Sequence, residues 1–178
     1  MILKNYWEIF AMIMARKKSA PVKITKTDGN EAIIYYNSSN ATSNASGLWF
    51  GDTAMTTAVD SSGVIFGTGT TPPTAEDFRL SGTVVTGIKS TTNFVGTYDE
   101  LGGGFTVTYT ITNNNADPVT IGEVGVIMRV YHYNSSSDNT NRTSYAMIER
   151  SVLDEPIVIP AGSAGQVVFS IRMNKPSN

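Results

Sequence analysis

Phe105, Val107, Tyr109 and Ile111 alternate with Thr106, Thr108, Thr110 and Thr112. A period of two puts the four apolar side chains on one face of a strand and the four threonines on the other. The alternation returns at the C-terminal end, where Val167, Phe169, Ile171 and Met173 interleave with Gln166, Val168, Ser170 and Arg172. A strand with one apolar face must bury that face against a second layer, and two sheets stacked face to face do this with the fewest elements. The expected fold is therefore all-β, an antiparallel β-sandwich of the Ig-like or jelly-roll-like kind.

The first residues break this pattern. Ile2, Leu3, Tyr6, Ile9, Phe10 and Ile13 recur at helical spacing, extended by Trp7 and Met14, with Arg16, Lys17 and Lys18 following. Cations there complement the negative end of a helix dipole, so the segment predicts an amphipathic α-helix. Glu8 interrupts the apolar run, and a basic triplet stands where a signal peptide would carry small residues. The run is also too short to cross a bilayer, which takes roughly 20 apolar residues. A helix lying on a membrane surface remains one alternative, given its aromatic and basic residues. The preferred reading is a docking helix that packs on its own domain or on a neighbouring subunit. The expected organisation is a docking helix over 1–20 and a β-sandwich domain over 21–178, with no boundary after about residue 20.

Turn signals divide the rest. Asp28-Gly29-Asn30 between Val22–Thr27 and Ala32–Tyr36 predicts a hairpin. Residues 37–46 are small and polar and read as a loop, followed by a short strand over 48–50 that carries Trp49. Thr53–Val59 and Val64–Phe66 read as strands about Asp60–Gly63. In the segment from Gly67 to Leu80, the glycines and Pro72-Pro73 exclude regular structure. Thr74, three residues before Asp77, predicts a capping-box-like helical turn that presents Phe78 and Leu80 to the core. Thr83–Lys89 and Ser90–Val95 read as a strand pair, and Gly102-Gly103-Gly104 as a hinge or hairpin. Asn113–Pro118 is a turn. Val119–Tyr133 is β-rich, with Gly122 and Gly125 suggesting a bend or bulge. A loop over 134–143 precedes strands at Ser144–Leu153, Ile157–Ile159 and Gln166–Met173.

Chemistry-bearing residues are sparse. Charged residues make up 16% of the 178 and the net charge is −2, which offers no basic footprint for nucleic acid. With no cysteine there is neither a disulfide, a thiol nucleophile nor a Cys-ligated metal. The single histidine, His132, lies in a strand without a nucleophile-elbow motif, and zinc-type sites need more ligands than the chain has. Calcium could use oxygens of Asp28, Asn30, Asp138, Asn139 and Asn141, but their spacing fits no EF-hand loop and Asx residues commonly serve turns. Glu76, Asp77, Asp99, Glu100, Glu123, Glu149, Asp154 and Glu155 supply carboxylates, with no local pattern electing a glycosidase pair. Trp49 and Tyr98 could stack on a sugar. Sequons at Asn37, Asn40, Asn44, Asn134 and Asn141 read as products of Asn/Ser/Thr-rich loops. Neither catalytic residues nor cofactors are expected.

Three strings carry a resemblance. Ile121-Gly-Glu-Val-Gly-Val126, Ile148-Glu-Arg-Ser-Val-Leu153 and Pro156-Ile-Val-Ile-Pro-Ala-Gly162, followed by an alternating strand, resemble virion structural proteins of tailed bacteriophages. The upstream string Phe66–Leu80 resembles a linker to a short helix in that group, and the likeness spans residues 64 to 173. It implies a non-enzymatic structural protein assembled in the bacterial host cytoplasm, a capsid-accessory, neck, tail or fibre part. Its partners would be copies of itself and other virion proteins. Docking would then use Tyr6, Trp7, Phe10 and Met14 as apolar anchors, with Arg16, Lys17 and Lys18 at an acidic rim. Thr106–Asn113 with Pro118–Ile121 is also similar to immunoglobulin-like repeats of bacterial surface proteins. That likeness implies an adhesion or carbohydrate-binding module.

Overall fold

The computed structural model describes residues 1–15, 21–35, 55–99, 102–135, 137, 140 and 142–174. It is all-β in class, with antiparallel sheets and one N-terminal helix, as the alternation predicts. The elements are α1 (Lys4–Ala15), β1 (Val22–Thr25), β2 (Glu31–Ile34), β3 (Gly63–Gly67), β4 (Ile88–Asp99), β5 (Gly102–Asn113), β6 (Val119–His132), β7 (Arg142–Ile159) and β8 (Ala164–Asn174). They form two compact units: Met1–Val85 with Ile121–Pro156, and Thr86–Thr120 with Ile157–Asn178. One boundary lies between Val85 and Thr86 and the other two fall inside β6 and β7, so neither unit is one stretch of sequence.

The first unit holds the sheet β3–β6–β7, the hairpin β1–β2 and α1. The hairpin closes as its turn residues predict. Gly29 adopts φ 85°, a conformation that glycine reaches without steric cost, and the Asn30 N–H donates to Asp28 Oδ1 at 2.9 Å. The register of β3 against β6 runs unbroken from Gly63 opposite Ile127 to Gly67 opposite Glu123. No bulge therefore interrupts the β3–β6 ladder at Gly125. Its missing side chain instead admits Met147, Leu80 and Ile65, whose atoms a Cβ there would meet at 2.8 to 3.2 Å. Ile121–Met128 are all buried, so this stretch of β6 is covered on both faces.

α1 belongs to this core. Leu3 packs with Ile65, Leu80, Ile127 and Met147, and Tyr6, Ile9 and Met12 are buried at helical spacing. Burying each of the aliphatic residues contributes about 1.5–3 kcal/mol. Asn5 pins the helix: its Nδ2 donates to the carbonyls of Thr25 and Met147 at 2.7 and 3.1 Å, and its Oδ1 accepts from the Thr25 N–H at 2.9 Å. Of the two packing partners expected for the helix, its own fold takes this face.

The second unit is the sheet β4–β5–β8. Val107, Tyr109 and Ile111 on β5 and Val167 and Phe169 on β8 are buried, and the register places Val107 opposite Phe169 and Tyr109 opposite Val167. The Asn-rich turn is organised by Asn113, whose Nδ2 donates to the carbonyls of Asp117 and Ile159 and whose Oδ1 accepts from the Asn115 N–H.

Several expected breaks are absent. β4 is one strand through Lys89 and Ser90 rather than a pair. Of the hinge and hairpin readings of Gly102–Gly104 the hairpin is the one found: they open β5, paired between β4 and β8, with Asp99 opposite Gly102. β7 runs through Pro156, which is tolerated because β7 ends the order β3–β6–β7 and a proline on an edge interrupts no ladder. Of Thr53–Val59, residues 53 and 54 lie outside the described residues, and the described part shows an isolated bridge, Met55 to Val64, rather than a strand. The strand expected over 48–50 and the loop over 37–46 lie outside the described residues.

Candidate functional site

The densest polar cluster among the described residues is centred on Arg150, in β7. Its Nε donates to Glu123 Oε2 at 2.7 Å and its Nη1 to Asp77 Oδ2 at 2.6 Å. Its Nη2 donates to the Thr71 carbonyl and to Ser81 Oγ, both at 2.7 Å. Arg150 is 1% exposed and Glu123 0%. The Glu123 carboxylate lies in a backbone cradle: Oε1 accepts from the N–H groups of Gly69 and Gly82 at 3.1 and 2.7 Å, and Oε2 from the Ser81 N–H at 3.1 Å. Successive N–H groups converging on one anion are what a loop usually offers a ligand. Here the anion comes from the chain's own β6. Gly69 and Gly82 permit the approach, since a Cβ on Gly69 would run into Ser81 Oγ and Glu123 Oε1, and one on Gly82 into the Gly69 backbone.

Half of the expected capping box forms: Thr74 donates its N–H to Asp77 Oδ2 at 3.0 Å and its hydroxyl to Asp77 Oδ1 at 2.8 Å, while the Asp77 N–H donates to the Thr74 carbonyl at 3.2 Å rather than to the hydroxyl. They close a turn rather than a helix. Leu80 is buried in the core, and Phe78 only half-buried.

The electrostatics follow from this geometry. Burial pushes the Glu123 carboxyl up, but the Gly82 and Ser81 N–H groups and Arg150 outweigh it and hold the group below the ordinary carboxylate value. Asp77 behaves alike, with Thr74 and Arg150 overcoming desolvation. Burial would ease a proton off Arg150, yet its two carboxylates hold it above the usual value. All three stay charged at neutral pH and are neutralised locally. Glu123 and Asp77 do meet, but across an arginine that fills the space a substrate would need. A ligand could reach Glu123 only by displacing the segment 69–82.

Other candidates are also committed to structure. His132 Nε2 lies 2.9 Å from Ser144 Oγ and its Nδ1 3.2 Å from the Tyr133 carbonyl. A carbonyl beside Nδ1 makes that nitrogen the N–H donor, leaving Nε2 to accept from the serine. Both side chains are buried and no carboxylate orients the ring, so the pair lacks the access and the third member that an acyl-transfer site requires. Burial lowers the His132 pKa. Glu149, pushed up by burial, accepts from Ser151 Oγ at 2.6 Å and from the Met1 amine at 2.9 Å. Asp28 accepts from Lys26 and Asn30 within its own hairpin, while Asp138, Asn139 and Asn141 lie outside the described residues. Among the described residues no three His, Cys, Asp or Glu gather as a metal site would need.

The docking residues expected on the helix separate. Tyr6 is 5% exposed and packs within the first unit. Trp7 is 57% exposed and Phe10 half-buried. The three rings form one cluster, Trp7 edge-on to Tyr6 at 5.0 Å and to Phe10 at 6.4 Å, with Tyr6 and Phe10 stacked at 6.0 Å. Met14 lies in the last turn of α1; its side chain, and Arg16, Lys17 and Lys18, are outside the described residues. Of the two sugar-stacking candidates, Tyr98 is on β4 and 91% exposed, and Trp49 is outside the described residues.

Sequence reasoning missed the part played by Arg150, Glu123 and Asn5. The available signal was a lone charge or amide inside an otherwise apolar run, as in Ile121-Gly-Glu-Val-Gly-Val126 and Ala146-Met-Ile-Glu-Arg150, since such a residue is buried only when paired. No protein-family model, curated protein or solved structure matches the chain.

Proposed function

We propose that the chain is a non-enzymatic structural protein of a tailed-phage virion, which assembles with copies of itself and with other virion proteins and acts through its surfaces. One observation carries the reading. Three of the four strings that resemble phage virion proteins meet at Arg150, which ties Thr71 and Asp77 of Phe66–Leu80 to Glu123 of β6. Their polar residues are spent on building the fold, which leaves recognition to exposed apolar side chains. On α1 that role falls to Trp7, backed by Phe10. A tryptophan held against two other rings gives a partner a large contact at small entropic cost.

The test is incorporation. Because Leu3, Ile9 and Met12 are core residues, removing residues 2–18 would unfold the protein, and a point variant is needed. Trp7→Ala should leave the fold intact and lower the copies of the chain per purified particle. Unchanged incorporation of a folded Trp7→Ala protein removes α1 as the attachment.

A further inference from the structure

Among the described residues, β4 of the sheet β4–β5–β8 has a strand on one side only, and Thr91–Gly96 are all exposed. A strand edge displays a row of N–H and C=O groups ready to pair. Edges in the first unit are covered in part, by Ile2 bridging Glu149 on β7 and by Met55 and Val84 bridging β3. Among the described residues no bridge covers β4. It nonetheless carries Phe94 at 54% exposure, Tyr98 at 91%, and an exposed Val95.

We propose that the occupant of this edge is β4 of a second copy, paired antiparallel about a two-fold axis at Phe94. A two-fold interface must be self-complementary, and the β4 sequence is. With Phe94 opposite its own copy, Lys89 lies opposite Asp99, twice over, and Thr91 opposite Thr97. A register two residues away puts Lys89 opposite Thr97 and loses both charge pairs. Phe94 is opposite Val107, and Val107 opposite Phe169. The pairing therefore continues one apolar row across six strands, from Phe169 of one copy to Phe169 of the other. Its length, Lys89–Asp99, is roughly 35 Å at about 3.4 Å per residue. The other edge offers no such match, since Ala164–Asn174 contains Arg172 and no acid.

This pairing deepens the assembly reading and rests on it for its purpose, but purified protein alone tests it. Sedimentation velocity over a concentration series should show a reversible dimer. Lys89→Glu and Asp99→Lys, each turning two attractive pairs into repulsive ones, should each weaken the dimer by about tenfold, and the double reversal should restore it. Because the chain has no cysteine, Phe94→Cys provides a second measurement on a different residue. Opposite residues of an antiparallel pair are about 4.5–5.5 Å apart, within disulfide reach. Oxidation should therefore link Phe94→Cys into a covalent dimer much faster than Thr92→Cys, whose two copies lie four residues apart. A monomer at every concentration, a dimer indifferent to both single reversals, or equal cross-linking at 92 and 94 overturns the pairing. None of these results bears on attachment through α1.

Discussion

Replacing Glu123 by glutamine tests whether the Arg150 cluster holds the first unit together. The substitution keeps the shape and removes the charge. In the native cluster both oxygens accept: Oε1 from Gly69 and Gly82, Oε2 from Ser81 and Arg150. A glutamine has one accepting oxygen, so either amide orientation turns an NH2 group toward two N–H donors. Each stranded buried donor costs about 1–3 kcal/mol, and Arg150 keeps only Asp77 as a counter-charge. The two routes agree on a loss of about 3–5 kcal/mol, the range for breaking a buried ion pair from one side. Against a typical total of about 5–15 kcal/mol the effect is large. Urea unfolding followed by circular dichroism reads it, with Lys4→Met as the comparison. That change removes the exposed Lys4–Glu76 contact at 3.2 Å and should move stability by no more than about 0.5 kcal/mol. A loss below about 1 kcal/mol for Glu123→Gln would refute the reasoning, because it would mean that water reaches the cradle.

Two further predictions follow from burial and charge. Leu3→Ala, in the cluster with Ile65 and Met147, should cost about 2–5 kcal/mol in the same unfolding assay; a loss under about 1 kcal/mol would show that Leu3 is not part of the core. pH has two windows, both because the folded pKa lies below the unfolded one. For His132 the stability is complete above about 6.5 and is lost as pH falls toward the lower folded value. For Glu123 and Asp77 it is complete above about 4 and is lost as pH falls through their lower folded values. His132→Gln should flatten the first window and leave the second, as measured by unfolding across a pH series; an unchanged first window contradicts the assignment.

What was legible in the sequence is what local chemistry determines. The alternations at Phe105–Thr112 and Gln166–Met173 became β5 and β8, and Asp28-Gly29-Asn30 became a hairpin turn. β4 does not show as one strand because Lys89, Ser90, Thr91, Thr92 and Asn93 make a polar run with no apolar alternation to carry the pattern across Lys89 and Ser90. The three glycines at the start of β5 read as a hinge or hairpin, and the hairpin with β4 is local; their pairing with β8 was not legible, because those partners lie far along the chain, at Arg172 to Asn174. The Arg150 cluster was illegible for the same reason: its donors at Gly69, Ser81 and Gly82 are backbone groups, which any sequence supplies. The helix was found, but its two faces were not told apart. Tyr6 and Trp7 are adjacent in sequence, and only packing decides that one is core and the other surface.

The central claim is that this chain is a structural component of a particle. Mass spectrometry of particles purified from a culture producing the chain tests it most directly. The account predicts the intact chain at a fixed copy number per particle, reduced for folded Trp7→Ala protein. A chain present in the cells and absent from purified particles contradicts it.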